Sequence, residues 1–327
     1  MSKIKVGVLM GGPSVEREVS LITGKEIFAN LDRKKYTPFL IEMTKDRHFV
    51  LQGKKKRNLD FINKDRKFFD IIFFALHGSP GEDGTVQGMF EMLGIKYTGP
   101  NTLSSALAMN KVYAGLMYNA WHLPHPEFID ITAKNWKKSK KEILRAINDS
   151  VGYPAVVKPV DQGSAVGVTI VKTEDDLIKA VNKTIKNFSW LMAQKFIKGK
   201  EGTCGVLEKK GEVFALPPTH ILPQAGAFYD YKSKYSEGGS KHICPADFPH
   251  EVIEMMQGYA IKAHKALNCS GVSRTDMFYG DDGKIYVLET NTIPGMTPTS
   301  LLPEAASKVN IDFSKLLDLI IEAALQP

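Results

Sequence analysis

Cysteine is scarce in this chain. Three occur in 327 residues, Cys204, Cys244 and Cys269, and they lie far apart. No Cys-x-x-Cys occurs and none sits in a His/Cys metal spacing. That excludes a disulfide framework and a zinc module, and reads as buried or idle thiols in a reducing compartment. Long apolar runs are missing too, since no stretch approaches the roughly 18 residues that a membrane helix needs. The run Val6–Met10 stops at Gly11-Gly12. It is too short for a signal-peptide core and reads as a first strand. A cytoplasmic location without membrane contact is expected. Neither Gly-x-x-x-x-Gly-Lys-Ser/Thr nor Gly-x-Gly-x-x-Gly occurs, which argues against a P-loop NTPase and a Rossmann dehydrogenase. No internal repeat is evident.

What is present is ordinary globular composition, 43% hydrophobic and 24% charged, with a net charge of +7. The lysines bunch in KKKR (54–57) and in NWKKSKKEILR (135–145). No aromatic or RNA-binding pattern accompanies them, so they read as a solvated loop and helix face, and no nucleic-acid partner is expected.

The first hundred residues alternate strand and helix. Strands are expected at 4–10, 37–43 and 69–78, the last with the continuous apolar run IIFFAL that suits a strand covered on both faces. Helices carry Leu21, Gly24, Phe28 and Leu31, then Val86, Met89, Phe90 and Leu93, at helical spacing. This βαβ pattern predicts a parallel sheet. TGPNT (98–102) reads as a junction, followed by a helix over roughly 103–119. From Pro154 the pattern turns to hairpins, at 154–171, 202–216 and 273–291, and a final helix fills roughly 312–325. The polar, Gly-rich segment 223–245 reads as a long lid or binding loop.

Four stretches carry chemistry. In SRTDMFYGDDGKIYVLETN (273–291), Asp282-Gly283 signals a two-residue hairpin turn. That register sets Asp276 opposite Glu289 and Arg274 opposite Asn291, all on one face. Facing carboxylates destabilise a hairpin unless a cation lies between them. Two carboxylates and an amide oxygen suit Mg²⁺. The plainer alternative is a salt-bridge cluster centred on Arg274. In KPVDQGSAVGV (158–168), Lys158 and a loop with Gly163, Ser164 and Gly167 suit phosphate, although a plain Gly-containing hairpin reads the same way. In LMGGPSVEREVS (9–20), Glu16 either complements a helix dipole or holds a substrate ammonium group. In HGSPGEDGTVQG (77–88), His77 follows a strand at its carboxyl end, as a core histidine or a substrate contact, and periodicity does not decide.

Taken together, GGPSVEREVSL, HGSPGEDGTVQG, RTDMF…LETNTIPGMTPTSLLP and FYDYKSKY resemble the D-alanine–D-alanine ligases of the ATP-grasp superfamily over nearly the whole chain. The resemblance implies an N-terminal parallel α/β (pre-ATP-grasp) domain, 1–100. A two-part ATP-grasp fold with antiparallel sheets follows, as a central subdomain (101–190) and a catalytic subdomain (191–327). It implies ATP-dependent joining of two D-alanines through a D-alanyl phosphate, with two Mg²⁺ or Mn²⁺ on Asp276, Glu289 and Asn291, in a homodimer. Lys111, Lys158 and Lys234 match phosphate-contacting lysines. Gln194, Lys195, Ile197 and Glu201 match adenine and ribose contacts. Glu16 matches the holder of the first ammonium, with Ser164 and Tyr235 as its partners and His77 on the substrate side. Arg274 and the Gly295 N–H match oxyanion stabilisers, and Ser300 and the Leu301 N–H match contacts to the second substrate's carboxylate. The chain departs from the family pattern at Ala165, Asn110 and Gln194, where serine, aspartate and glutamate are usual. A D-alanine–D-X ligase, with D-lactate or D-serine as X, is the alternative.

Overall fold

The computed structural model describes residues 2–53, 55–223 and 240–326. Strand β1 (Ile4–Gly11) lies between β2 (Tyr36–Met43) and β5 (Ile71–Phe74), parallel to both. This is the predicted βαβ sheet, with helix α1 (Arg17–Asn30) as crossover and α2 (Thr85–Leu93) after β5. Two short strands, β3 (Phe49–Leu51) and β4 (Arg57–Asn58), extend it antiparallel, so the sheet is mixed. One face packs on the C-terminal helix. Val6, Val8, Ile71 and Phe73 share a core with Leu316, Leu317 and Ile320.

The single helix expected over 103–119 is two, α3 (Thr102–Met109) and α4 (Lys111–Ala120). Asn110 sits between them in extended backbone, φ −87° and ψ 104°, and its side-chain oxygen accepts from the N–H groups of Val112 and Tyr113. An asparagine that caps a new helix ends the old one. The break puts Lys111 at a helix start, facing the centre of the molecule.

The second sheet runs β6 (Phe128–Thr132), β9 (Trp190–Lys195), β7 (Ala155–Pro159), β8 (Thr169–Val171), all antiparallel. Helices α5 (Ala133–Lys138), α6 (Lys140–Ser150) and α7 (Glu174–Thr184) accompany it, and Ile143, Ile147, Leu177 and Val181 pack on Val157 and Leu191.

The third sheet orders β13 (Ser240–Ile243), β12 (Thr219–Pro223), β10 (Gly199–Lys209), β14 (Val272–Gly280), β15 (Ile285–Asn291), with β11 (Glu212–Ala215) also on β10. The expected hairpins at 154–171, 202–216 and 273–291 are therefore β7–β8, β10–β11 and β14–β15. Helix α8 (His250–Ala266) covers this sheet, burying Met256 and Ala260 against Met277, Ile285 and Val287. Helices α9 (Leu301–Ser307) and α10 (Phe313–Leu325) close the chain.

The β14–β15 hairpin reaches the predicted register by a different route. Gly280 and Lys284 close a three-residue loop, not a two-residue one, with Gly283 at φ +77°. Tyr279 then pairs with Ile285 and Met277 with Val287. A β-bulge at Leu288 restores the count, so Asp276 does face Glu289, and Arg274 faces Asn291. The bulge also changes parity. Val287 turns to the α8 core, while Leu288 and Glu289 both line the cleft.

Candidate functional site

Two cavities lie between the sheets, and they share a wall made by Lys111, Ser164, Asp276 and Glu289. The first, about 910 Å³, opens between the N-terminal sheet and α9. The second, about 550 Å³, lies between the second and third sheets.

Glu16 precedes α1 and is buried, with its carboxylate accepting from the Ser164 hydroxyl across a gap of 148 residues. Ser164 and Ala165 both adopt left-handed backbone, φ +50° and +57°. Such a pair is held only by its surroundings, and here it aims the serine at Glu16. Gly78, φ +68°, leaves room for the same carboxylate, since a Cβ there would stand 2.3 Å from the Ser14 Oγ and 3.1 Å from the Glu16 Oε2. His77 is buried beside them. Its Nε2 lies 3.1 Å from the Thr23 hydroxyl and its Nδ1 3.4 Å from Glu82. Glu82 also accepts from the Gly78 N–H at 3.1 Å. Burial pushes the Glu82 carboxyl up and Glu16 pushes it the same way, while His77 opposes both. Glu82 lies inside the quoted HGSPGEDG stretch, yet the sequence reading passes over it.

At the shared wall the facing carboxylates are neutralised from both ends. The Arg274 Nε and Nη2 donate to Asp276 at 3.0 and 3.1 Å, and the Thr203 hydroxyl donates to the same carboxylate at 2.5 Å. The Lys111 Nζ stands 3.3 Å from Glu289 and donates to the Gln162 carbonyl at 2.8 Å. The Asn291 Oδ1 accepts from the Ile293 N–H at 2.9 Å. The hairpin thus carries an Arg274-centred cluster and, on the same face, two carboxylates and an amide oxygen. That donor set fits a divalent cation with phosphate as its further ligand. Among the described residues no group of three or more His, Cys, Asp or Glu gathers, at this wall or elsewhere.

Lys158 is buried, with its Nζ donating to the Gln194 Oε1 at 2.8 Å. Burial lowers its pKa to about 8, helped by Lys111 and opposed by Glu289. Lys195, Ile197 and Glu201 line the same cavity, among apolar walls that include Val156, Phe278 and Leu288. In the first cavity, the Ser300 Oγ accepts from the Thr297 N–H at 2.9 Å and stands next to Gly295, where a Cβ would approach it to 2.9 Å. Leu301 opens α9 beside them.

The structure therefore gathers Glu16, His77, Ser164, Arg274, Gly295, Ser300 and Leu301 in one cavity. It gathers Lys158, Gln194, Lys195, Ile197 and Glu201 in the other, with Lys111, Asp276 and Glu289 between. Asn291 lines the first. Lys234 and Tyr235 lie outside the described residues, as does most of segment 223–245, whose ends are β12 and β13. Sequence reasoning missed Thr203 and His125, which act on named residues from distant parts of the chain, and Glu82, which acts on His77 from five residues away.

The chain matches the family models "D-ala D-ala ligase C-terminus" over residues 117–322 and "D-ala D-ala ligase N-terminus" over 5–68 and 58–100. It is 42% identical over 328 residues to a D-alanine–D-alanine ligase of Syntrophobacter fumaroxidans, covering 99% of this chain and 98% of that one. It is 40% identical over 326 residues to that of Desulfotalea psychrophila, covering 99% and 96%. Among solved structures, the VanG D-Ala:D-Ser ligase of Enterococcus faecalis superposes with a TM-score of 0.89 at 30% identity, covering 99% of this chain and 100% of that one. The D-alanine–D-alanine ligase of Bacillus anthracis complexed with ATP gives 0.77 at 35% identity, covering 98% and 97%. Full-length agreement of sequence and fold has one reading: the chain belongs to the D-alanine–D-alanine ligase family, with its ATP-grasp fold.

Proposed function

We propose that the chain joins two D-alanines into D-alanyl-D-alanine at the expense of ATP, supplying a peptidoglycan precursor. One observation carries this reading. A cavity with an apolar lining and a lysine–amide end meets a larger, more polar one at a wall of two carboxylates and a lysine. A nucleotide in the smaller cavity points its phosphates at that wall. A small amino acid in the larger one presents its carboxylate from the other side.

The residues then take the following roles. Glu16, oriented by Ser164, receives the first substrate's ammonium group. The carboxylate of that substrate attacks the γ-phosphorus, the bond to ADP breaks, and a D-alanyl phosphate forms. Lys111 and Lys158 hold the phosphate oxygens, with Lys234 as a third such lysine, and Tyr235 joins Ser164 at Glu16. Two Mg²⁺ or Mn²⁺ on Asp276, Glu289 and Asn291 would neutralise phosphate charge during transfer. The second amine attacks the acyl carbon, and phosphate leaves with the carbon–oxygen bond electrons. Arg274 and the Gly295 N–H face the oxygen that becomes negative. Ser300 and the Leu301 N–H take the second carboxylate. A homodimer in the cytoplasm is part of the same proposal.

The likeness to VanG favours D-serine as the acceptor to test against D-alanine. The experiment is phosphate release and product analysis with ATP and D-alanine alone, then with equal D-serine or D-lactate. D-Alanyl-D-alanine is expected to dominate. A dominant mixed product moves the chain to the D-X reading, and no phosphate release with any D-amino acid rejects both.

A further inference from the structure

His125 does not line the nucleotide-sized cavity, yet it decides how that cavity ends. It lies in the Pro-rich segment between α4 and β6, with its ring held edge-on to Phe128 at 5.5 Å. A Cβ on Gly115 would stand 2.7 Å from its Nε2, so the ring fills the space that glycine leaves. Its Nδ1 lies 2.7 Å from the Val287 carbonyl, and the Val287 N–H donates to Pro124 at 2.8 Å. A carbonyl only accepts, so Nδ1 carries the proton. Burial drops the His125 pKa to about 4, so at neutral pH the ring is uncharged and Nε2 is a bare acceptor. The Gln194 side-chain atom 3.1 Å from that Nε2 must then be the amide nitrogen. Its oxygen is left facing the Lys158 Nζ, which can only donate, at 2.8 Å. The chain Val287–His125–Gln194–Lys158 is satisfied in one amide orientation and one tautomer.

We infer that His125 is a positioning residue for the nucleotide base: by accepting from Gln194 it fixes the amide oxygen toward Lys158 and the cavity. The site then favours a base with an exocyclic amino group over one with a keto group at that edge. The inference rests on the reading of this cavity as the nucleotide site. It bears on Gln194 because a carboxylate, usual at that position in the family pattern, has two like oxygens and no orientation to fix. An amide has a wrong way round, which would show the base a donor.

The test is isothermal titration of the full-length protein with Mg·ATP and Mg·ITP. The wild type is expected to prefer ATP by about tenfold or more. His125→Ala is expected to cut that preference about fivefold by weakening ATP with little change for ITP. The double variant His125→Ala, Gln194→Glu should recover it. An unchanged ratio in His125→Ala, or no recovery in the double variant, overturns the role. Wild type binding neither nucleotide overturns the nucleotide reading itself, a separable result. Nitrogen-15 NMR of the wild-type histidines tests the same chain without any variant. A neutral His125 ring protonated at Nδ1 is expected, and protonation at Nε2 overturns the inference.

Discussion

At the scale of single residues the site is a set of charges that would be costly one at a time. Lys158 shows this best. A buried ammonium loses hydration, and its nearest hydrogen-bond partner is a neutral amide, so its pKa falls to about 8. The unfolded lysine titrates near 10.5, and between those values the unfolded chain binds more protons. Stability from this group therefore rises as pH goes from about 8 towards 10.5, while affinity for an anionic nucleotide falls over the same window. ATP affinity is expected to drop as pH passes about 8, and Lys158→Met should flatten that dependence. Glu289 raises the Lys158 pKa, so Glu289→Gln should move the drop to lower pH, besides removing turnover. Titration of ATP between pH 7 and 9.5 checks all three, and a flat wild-type profile would reject the role given to this lysine. The fixed-position residues were legible in the sequence because motif residues sit on quoted, contiguous stretches. Their supports were not. Thr203 reaches Asp276 across 73 residues and His125 reaches Gln194 across 69, and no local spacing encodes such pairs.

At the scale of elements, periodicity found the strands and helices but not the irregularities that aim them. The β14–β15 hairpin is instructive. Asp-Gly correctly marked where the chain reverses, and Asp276 does face Glu289. The turn is one residue longer than expected, and the Leu288 bulge compensates, because only that shift turns both Leu288 and Glu289 into the cleft while Val287 stays in the core. Apolar periodicity cannot separate a two-residue turn from a three-residue turn plus a bulge when both keep the distal register. The break at Asn110 was missed for a related reason. Leu107, Ala108, Val112 and Ala114 are apolar across it, so the stripe looks continuous, and the signal was the cap chemistry of one asparagine. Asn110→Ala should cost about 1 kcal/mol by orphaning two helix N–H groups. It should also weaken nucleotide binding, since Lys111 is the first residue of the capped helix. Asn110→Asp keeps an acceptor at the helix start and should retain both properties. Thermal melting with ATP titration separates the outcomes. Equal melting temperatures for the alanine variant and wild type would show that the cap carries no stability.

At the scale of the molecule, the site belongs to no single sheet. Ser164 on the β7–β8 loop bonds Glu16 at the start of α1, and Lys35 near β2 pairs with Asp318 on α10 at 2.5 Å, across 283 residues. The first cavity is walled by segments from opposite ends of the chain, Glu16 to Glu304, and the second by segments between Lys111 and Glu289; ligands that bridge the two should tighten the whole. Their common wall sets the condition. Asp276 and Glu289 are matched by Arg274 and Lys111, and a triphosphate at that wall would compete with the carboxylates for those same cations. A divalent cation held by both carboxylates would remove the competition, since phosphate oxygens also suit it. Without it, ATP should protect against unfolding less than ADP, which brings one phosphate fewer to the wall. With excess Mg²⁺ the order should reverse, and ATP at a hundred times its dissociation constant should stabilise by about 2.7 kcal/mol. Melting curves with ATP or ADP, in EDTA and then in Mg²⁺, read this directly. If ATP gives the same shift with and without the cation, Asp276 and Glu289 are a structural pair, and the phosphates bind elsewhere.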